Sequence, residues 1–99
     1  MIISGFEWDA ANRDKCQKHG VTVAEIESLF AGPVMILPDR AHSRTEERLR
    51  AIGQTSTGRY VFLVFTIRAR SGERYIRPIS ARRMHRKEIE SYEKENPHL

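Results

Sequence analysis

Groups able to move protons or to hold phosphate oxygens crowd the middle of this 99-residue chain. His42, Glu47, Arg68, Arg82 and Arg83 have the types and settings that such chemistry uses. Breaking a phosphodiester with its neighbouring hydroxyl needs a base for that hydroxyl and cations for the charge on phosphorus. It also needs an acid for the leaving oxygen and an in-line geometry. Arg68 ends the most apolar strand-like run and shares a face with Tyr60, Phe62, Val64 and Thr66, so it is expected to project onto a phosphate at the sheet edge. Arg82 and Arg83 are expected at a strand-to-helix junction, where one can meet phosphate and the other hold an acid. Two cations at a helix start oppose the helix dipole, which invites a functional explanation. Glu47 is placed on the Leu49 and Ala51 face of a strand. Partial burial there would raise its pKa toward the range of a base; the alternative is a structural ion pair. His42, in a polar loop, has the reference pKa of ~6.5 that suits proton transfer at neutral pH; the alternative is an ordinary loop or turn residue. Lys18, Arg48, Arg50, Arg59, Arg70 and Arg74 are candidates for holding the rest of a polyanion. His19 reads as structural or RNA-touching, and His85 and His98 as solvated.

The charge distribution favours a polyanionic partner. Residues 1–39 carry net −3 and residues 88–99 net −3, while residues 40–87 hold 13 basic and three acidic side chains, net +10. Twelve of those cations are Arg, whose planar donor fork fits phosphate oxygens and stacks on bases. Nucleic acid is the first partner this implies. The four His and one Cys have no zinc-ligand spacing, and there is no phosphate loop, dinucleotide fingerprint or nucleophile elbow; no metal or cofactor is expected. A lone Cys16 allows no internal disulfide. With no membrane-length apolar run and no secretory leader pattern, the expected location is cytoplasmic, without a membrane partner.

Hydrophobic periodicity supplies the elements that position these groups. Ile2, Ile3, Phe6 and Trp8 suggest a strand over 2–8. Asp9 caps a polar helix over 10–19 that Gly20 ends. Thr22 and Glu25 form a capping box, with Val21 and Ile26 as a staple, and the helix face Val23, Ile26, Leu29 and Phe30 runs to Gly32-Pro33. The period then becomes two, with strands over 34–37, 46–53, 59–68 and 74–80 and turns at Ser56-Thr57-Gly58 and Ser71-Gly72. Pro78 cannot donate to a ladder, so the last strand should lie at an edge or break there. A helix over 82–95 follows. The order β-α-α-β-β-β-β-α predicts one α+β domain over residues 1–99 with a mainly antiparallel sheet.

The chain resembles the BrnT family of type II toxins, whose fold is like that of the RelE ribonucleases. The resemblance rests on Phe6-Glu7-Trp8-Asp9, Lys18-His19-Gly20-Val21, Phe30 through Pro33, and Asp39 with His42-Ser43. Glu46-Glu47-Arg48 before Ile52-Gly53 is its most distinctive part. Gly58-Arg59, Thr66, Arg68, Ile79-Ser80-Ala81-Arg82-Arg83 and Tyr92-Glu93 complete it. Pro78 departs from it, standing where such sequences more often carry an apolar residue. The resemblance implies an RNA-cleaving toxin, a metal-independent endoribonuclease that inhibits translation, with the ribosome as a further partner. It also implies neutralisation by an antitoxin with a ribbon-helix-helix DNA-binding region, and operator DNA bound only through the complex, which represses its own operon. The rival readings are a non-catalytic basic RNA- or DNA-binding module and a module that docks an acidic protein segment. Salt-sensitive binding without cleavage would mark the first rival.

Overall fold

The computed structural model describes residues 2–42 and 46–96. Its elements are β1 (Gly5–Phe6), α1 (Ala10–Gln17), α2 (Val23–Leu29), β2 (Val34–Pro38), a 3-10 turn (Arg40–His42), β3 (Leu49–Gln54), β4 (Tyr60–Arg70), β5 (Glu73–Arg83) and α3 (Arg86–Glu95). This is the expected α+β order. The strands form one sheet in the order β1-β5-β4-β3-β2, antiparallel except where β1 runs parallel to β5. No described helix is long and apolar enough to cross a membrane.

Both predicted caps form. The Asp9 carboxylate accepts from Asn12 N at 3.0 Å while Asn12 Oδ1 accepts from Asp9 N at 2.7 Å. Thr22 Oγ1 accepts from Glu25 N at 3.1 Å, and Glu25 Oε1 accepts from Thr22 N at 3.2 Å. Each cap satisfies amide donors that the first helical turn leaves without partners. The hairpin between β4 and β5 turns on Ser71 (φ 52°) and Gly72 (φ 80°), the paired left-handed conformation whose twist matches the flanking strands.

One sheet face carries Leu49, Ala51, Val61, Leu63, Phe65, Ile76 and Ala81, and packs on Cys16, Val21, Ile26 and Leu29 of the first two helices and their connection. Phe65 meets Phe30 edge-on at 5.5 Å, and Phe30 meets Phe6 at 5.7 Å. Burial pushes the Cys16 thiol up to about 11, so it is held as an inert core side chain.

Several boundaries differ from expectation, and the first strand, expected over 2–8, is only Gly5–Phe6. β3 starts at Leu49 rather than at 46, because the Thr66 hydroxyl takes the Glu47 carbonyl at 2.7 Å and the ladder's first pair is Leu49 with Phe65. β5 does not stop at residue 80 but continues to Arg83, and α3 starts at Arg86 instead of 82. Pro78 is accommodated inside β5 by two features. The Arg74 and Ile76 carbonyls accept from Ser4 N and Glu7 N, so alternation turns the Pro78 backbone toward that same edge, beyond the end of β1. There its carbonyl accepts from Asn12 Nδ2 at 2.9 Å and no amide is needed. A bulge beside it leaves Ile79 unpaired, with Val64 opposite Ser80 and Phe65 opposite Pro78.

Candidate functional site

Opposite the core, the second sheet face carries Tyr60, Phe62, Val64, Thr66 and Arg68 of β4, with Arg50 and Ile52 beside them on β3 and Arg77 and Arg82 on β5. Recesses open along it among the described residues; Leu37, Asp39, Arg40 and Arg50 line one of about 390 Å³, and two others hold more of its charged and aromatic side chains. The first is a cleft of about 270 Å³ between α1 and the segment before β3, lined by Lys15, Glu46, Arg48, Arg68, Arg77 and Ile79 among others. Four of those named are cations and one is a carboxylate. Glu46 Oε2 lies 3.3 Å from Arg68 Nη2, each side chain about one-third exposed (34% and 39%). Among the described residues Arg68 Nε is buried without a hydrogen-bond partner, so the guanidinium keeps a donor for a second anion.

Arg77 is fixed from behind. Its two terminal nitrogens donate to Glu7 at 3.2 Å and Asp9 at 2.8 Å, and Glu7 also accepts from Arg70 Nε at 2.6 Å. The Arg70 hydrogen bond is the chief cause that holds the Glu7 carboxyl below its ordinary range. For Asp9 the leading cause is the Asn12 amide, followed by Arg77. These charge-assisted bonds set the guanidinium plane that faces the cleft. The Glu46–Arg48 segment is set by Thr66, which is 2% exposed and grips the Glu47 carbonyl.

The second recess, about 430 Å³, lies between α3 and the β2–β3–β4 end of the same face, and Met35, Leu37, Ile52, Phe62, Met84 and Tyr92 line it. At its edge Arg82 donates twice to Glu88, at 2.8 and 2.9 Å, with its guanidinium 4.7 Å above the Phe62 ring. Arg82, then the His85 amide, hold the Glu88 carboxyl down to about 2. Tyr60 donates to Glu93 at 2.8 Å and meets Tyr92 edge-on at 5.8 Å, further fixing α3 to the sheet.

The residues singled out in the sequence therefore divide. Arg68 and Arg48 lie in the cleft. Glu47 is exposed rather than half-buried, because β3 begins at Leu49, three residues later than expected, so the burial its role as base required is missing. Arg82 and Arg83 do not stand at a helix start. Both belong to β5 and face opposite ways, opposite Phe62 and Val61, six or more residues along β4 from Arg68, or ~20 Å at the strand rise. Arg82 holds the acid Glu88, while Arg83 is exposed near Gly20 on the helix-covered side. Arg50 lines the second recess and Arg70 is tied to Glu7. Arg59, Arg74 and Lys18 are exposed outside both recesses. The His42 backbone lies in the 3-10 turn, but its side chain lies outside the described residues, as does His98.

Sequence reasoning missed Glu46, Lys15 and Arg77. The alternation that groups Glu46 with Arg48 and Arg50 was legible, but only the pairing of Arg50 with Val64 puts that group on the Arg68 face. Among the described residues no three His, Cys, Asp or Glu side chains come together as a metal site. The family model described as the ribonuclease toxin BrnT of type II toxin–antitoxin systems matches residues 8–88. No curated protein matches the chain.

Proposed function

This chain belongs to the BrnT family of ribonuclease toxins of type II toxin–antitoxin systems, and we propose that it is a metal-independent endoribonuclease whose reaction takes place in the Arg68 cleft. The observation that carries the reading is a carboxylate, Glu46, 3.3 Å from a guanidinium with an unused buried donor, inside a recess lined by three more cations. In this reading the scissile phosphate takes Arg68 and releases Glu46. The freed carboxylate accepts the proton of the ribose 2′-hydroxyl, whose oxygen attacks phosphorus. Arg68, Arg48 and Arg77 offset the charge gathered on the phosphoryl oxygens. The bond to the 5′-oxygen breaks, and that oxygen leaves with a proton from Lys15. The products are a 2′,3′-cyclic phosphate and a 5′-hydroxyl. Glu46 takes the role expected of Glu47, because it is the carboxylate within reach of the phosphate-binding cation.

The same reading includes a cognate antitoxin with a ribbon-helix-helix region, arrest of translation by loss of messenger RNA, and repression of the operon by the complex. Its test is controlled expression of wild type and Arg68→Ala, with growth and primer-extension mapping of messenger RNA followed together. Arrest with new 5′ ends for wild type alone supports it. Healthy growth with intact RNA, from protein shown to be folded and free of antitoxin, refutes it.

A further inference from the structure

Two buried side-chain polar atoms lack a partner among the described residues, Arg68 Nε and Arg50 Nε, and both belong to one sheet face. The first is absorbed by the phosphate cleft. The second points to a ligand of its own. Arg50 lies on the wall of the recess under α3, 5.9 Å from the Phe62 ring, with one terminal nitrogen in a long 3.4 Å contact to the Pro38 carbonyl. From the chemistry of this recess we infer that it is a nucleobase subsite, holding a base of the RNA whose phosphate occupies the Arg68 cleft.

Three features fit a nucleobase. The floor is Phe62, an aromatic face with guanidiniums at 4.7 and 5.9 Å, and bases stack on both kinds of plane. The walls are mostly apolar, with Lys87, Glu88, Ser91 and Glu95 on the α3 side, and the volume falls within the ~300–1,000 Å³ of small-molecule pockets. Arg50 has a buried Nε without a partner among the described residues and a terminal nitrogen held only by the long Pro38 contact, so a small turn of the side chain brings a donor to an acceptor on the occupant. A base edge offers carbonyl oxygens and ring nitrogens, whereas an apolar side chain of a protein partner would leave that buried donor unsatisfied. The position also fits, since Phe62 and Arg68 share one face of one strand, ~20 Å apart, a span of a few nucleotides. The Arg82–Glu88 pair then keeps α3 in place as the wall of the subsite, which gives Arg82 a role although it does not reach the cleft.

The inference depends on the ribonuclease reading only in taking RNA as the ligand, so its test needs no cleavage. Met35 and Met84 line the recess and give it two reporters. Methyl-¹³C methionine spectra are recorded with a non-cleavable 2′-O-methyl hexanucleotide and with the same backbone made abasic. The expected result is ring-current shifts at Met35 and Met84 with the base-bearing strand alone, and affinity roughly tenfold weaker for Arg50→Met and for Phe62→Leu. Arg50→Met keeps Phe62 under Arg82, so it reads the subsite even where Phe62→Leu unsettles α3. Equal binding of the two strands without methionine shifts would overturn the subsite and leave the phosphate cleft standing. No binding at all would overturn the subsite. Shifts obtained with a protein that cuts no RNA would support the subsite while removing the ribonuclease reading.

Discussion

Thr66→Val tests whether the Glu46–Arg48 segment is held in place for chemistry. Thr66 is 2% exposed, and its hydroxyl donates to the Glu47 carbonyl at 2.7 Å. Valine keeps the shape of the side chain and removes this donor. A neutral hydrogen bond contributes ~0.5–1.5 kcal/mol net, and the carbonyl is only partly buried, so water can replace part of the loss. The expected cost is therefore about 1 kcal/mol, or about 4–8 °C in Tm for a domain of this size. The effect on catalysis should be larger, because Glu46 is one residue from the lost anchor and stands 3.3 Å from Arg68. Displacing a reacting group by ~1 Å can lower a rate about 100-fold. Urea melts and single-turnover cleavage of a labelled RNA measure the two effects. Thr66→Ser keeps the donor and should recover most of the rate. A Thr66→Val protein that is destabilised as expected but cleaves within about twofold of wild type would refute the positioning argument.

Other expectations follow from the same geometry. Glu46→Gln should lose cleavage by about 100-fold while binding RNA as well as wild type, whereas the exposed Glu47→Gln should cleave at close to the wild-type rate; a reversed order in single-turnover assays would return the base role to Glu47. Glu88 titrates at about 2 in the fold against an ordinary 4.5, so its contribution to stability is in place above about pH 4.5 and is lost as pH falls toward 2. Urea midpoints measured across that window should fall for wild type and fall less for Arg82→Met, which also loses about 1 kcal/mol once screening of this one-third exposed pair is allowed for. Glu7→Gln should free Arg70 and loosen Arg77, weakening RNA binding without unfolding the chain; unchanged affinity by fluorescence anisotropy would detach Arg77 from the site.

Local signals in the sequence were enough for most of the fold. Asp9, Thr22 and Glu25 announced their helix starts, because a cap is a contact within one turn. Ser71-Gly72 announced its hairpin for the same reason. The errors lay where distant residues decide. The Glu47 carbonyl is taken by Thr66, 19 positions away, and this ended the β3 ladder early. Pro78 tolerates its place in β5 because β1 has already ended and Asn12, 66 positions away, takes its carbonyl. The site was legible in kind, as guanidiniums near a carboxylate, but not in membership. Arg82 and Arg83 lie at the other end of the sheet from the cleft, and Lys15 reaches it from a helix that the sequence marks only as polar.

The most direct test of the central claim is incubation of purified wild type and Arg68→Ala with a defined RNA in excess chelator, with chemical analysis of the new ends. Wild type is expected to leave 2′,3′-cyclic phosphate and 5′-hydroxyl ends without added metal, and folded Arg68→Ala to be slower by about 100-fold or more. Cleavage that stops in chelator, 5′-phosphate ends, or an Arg68→Ala protein as active as wild type would contradict it.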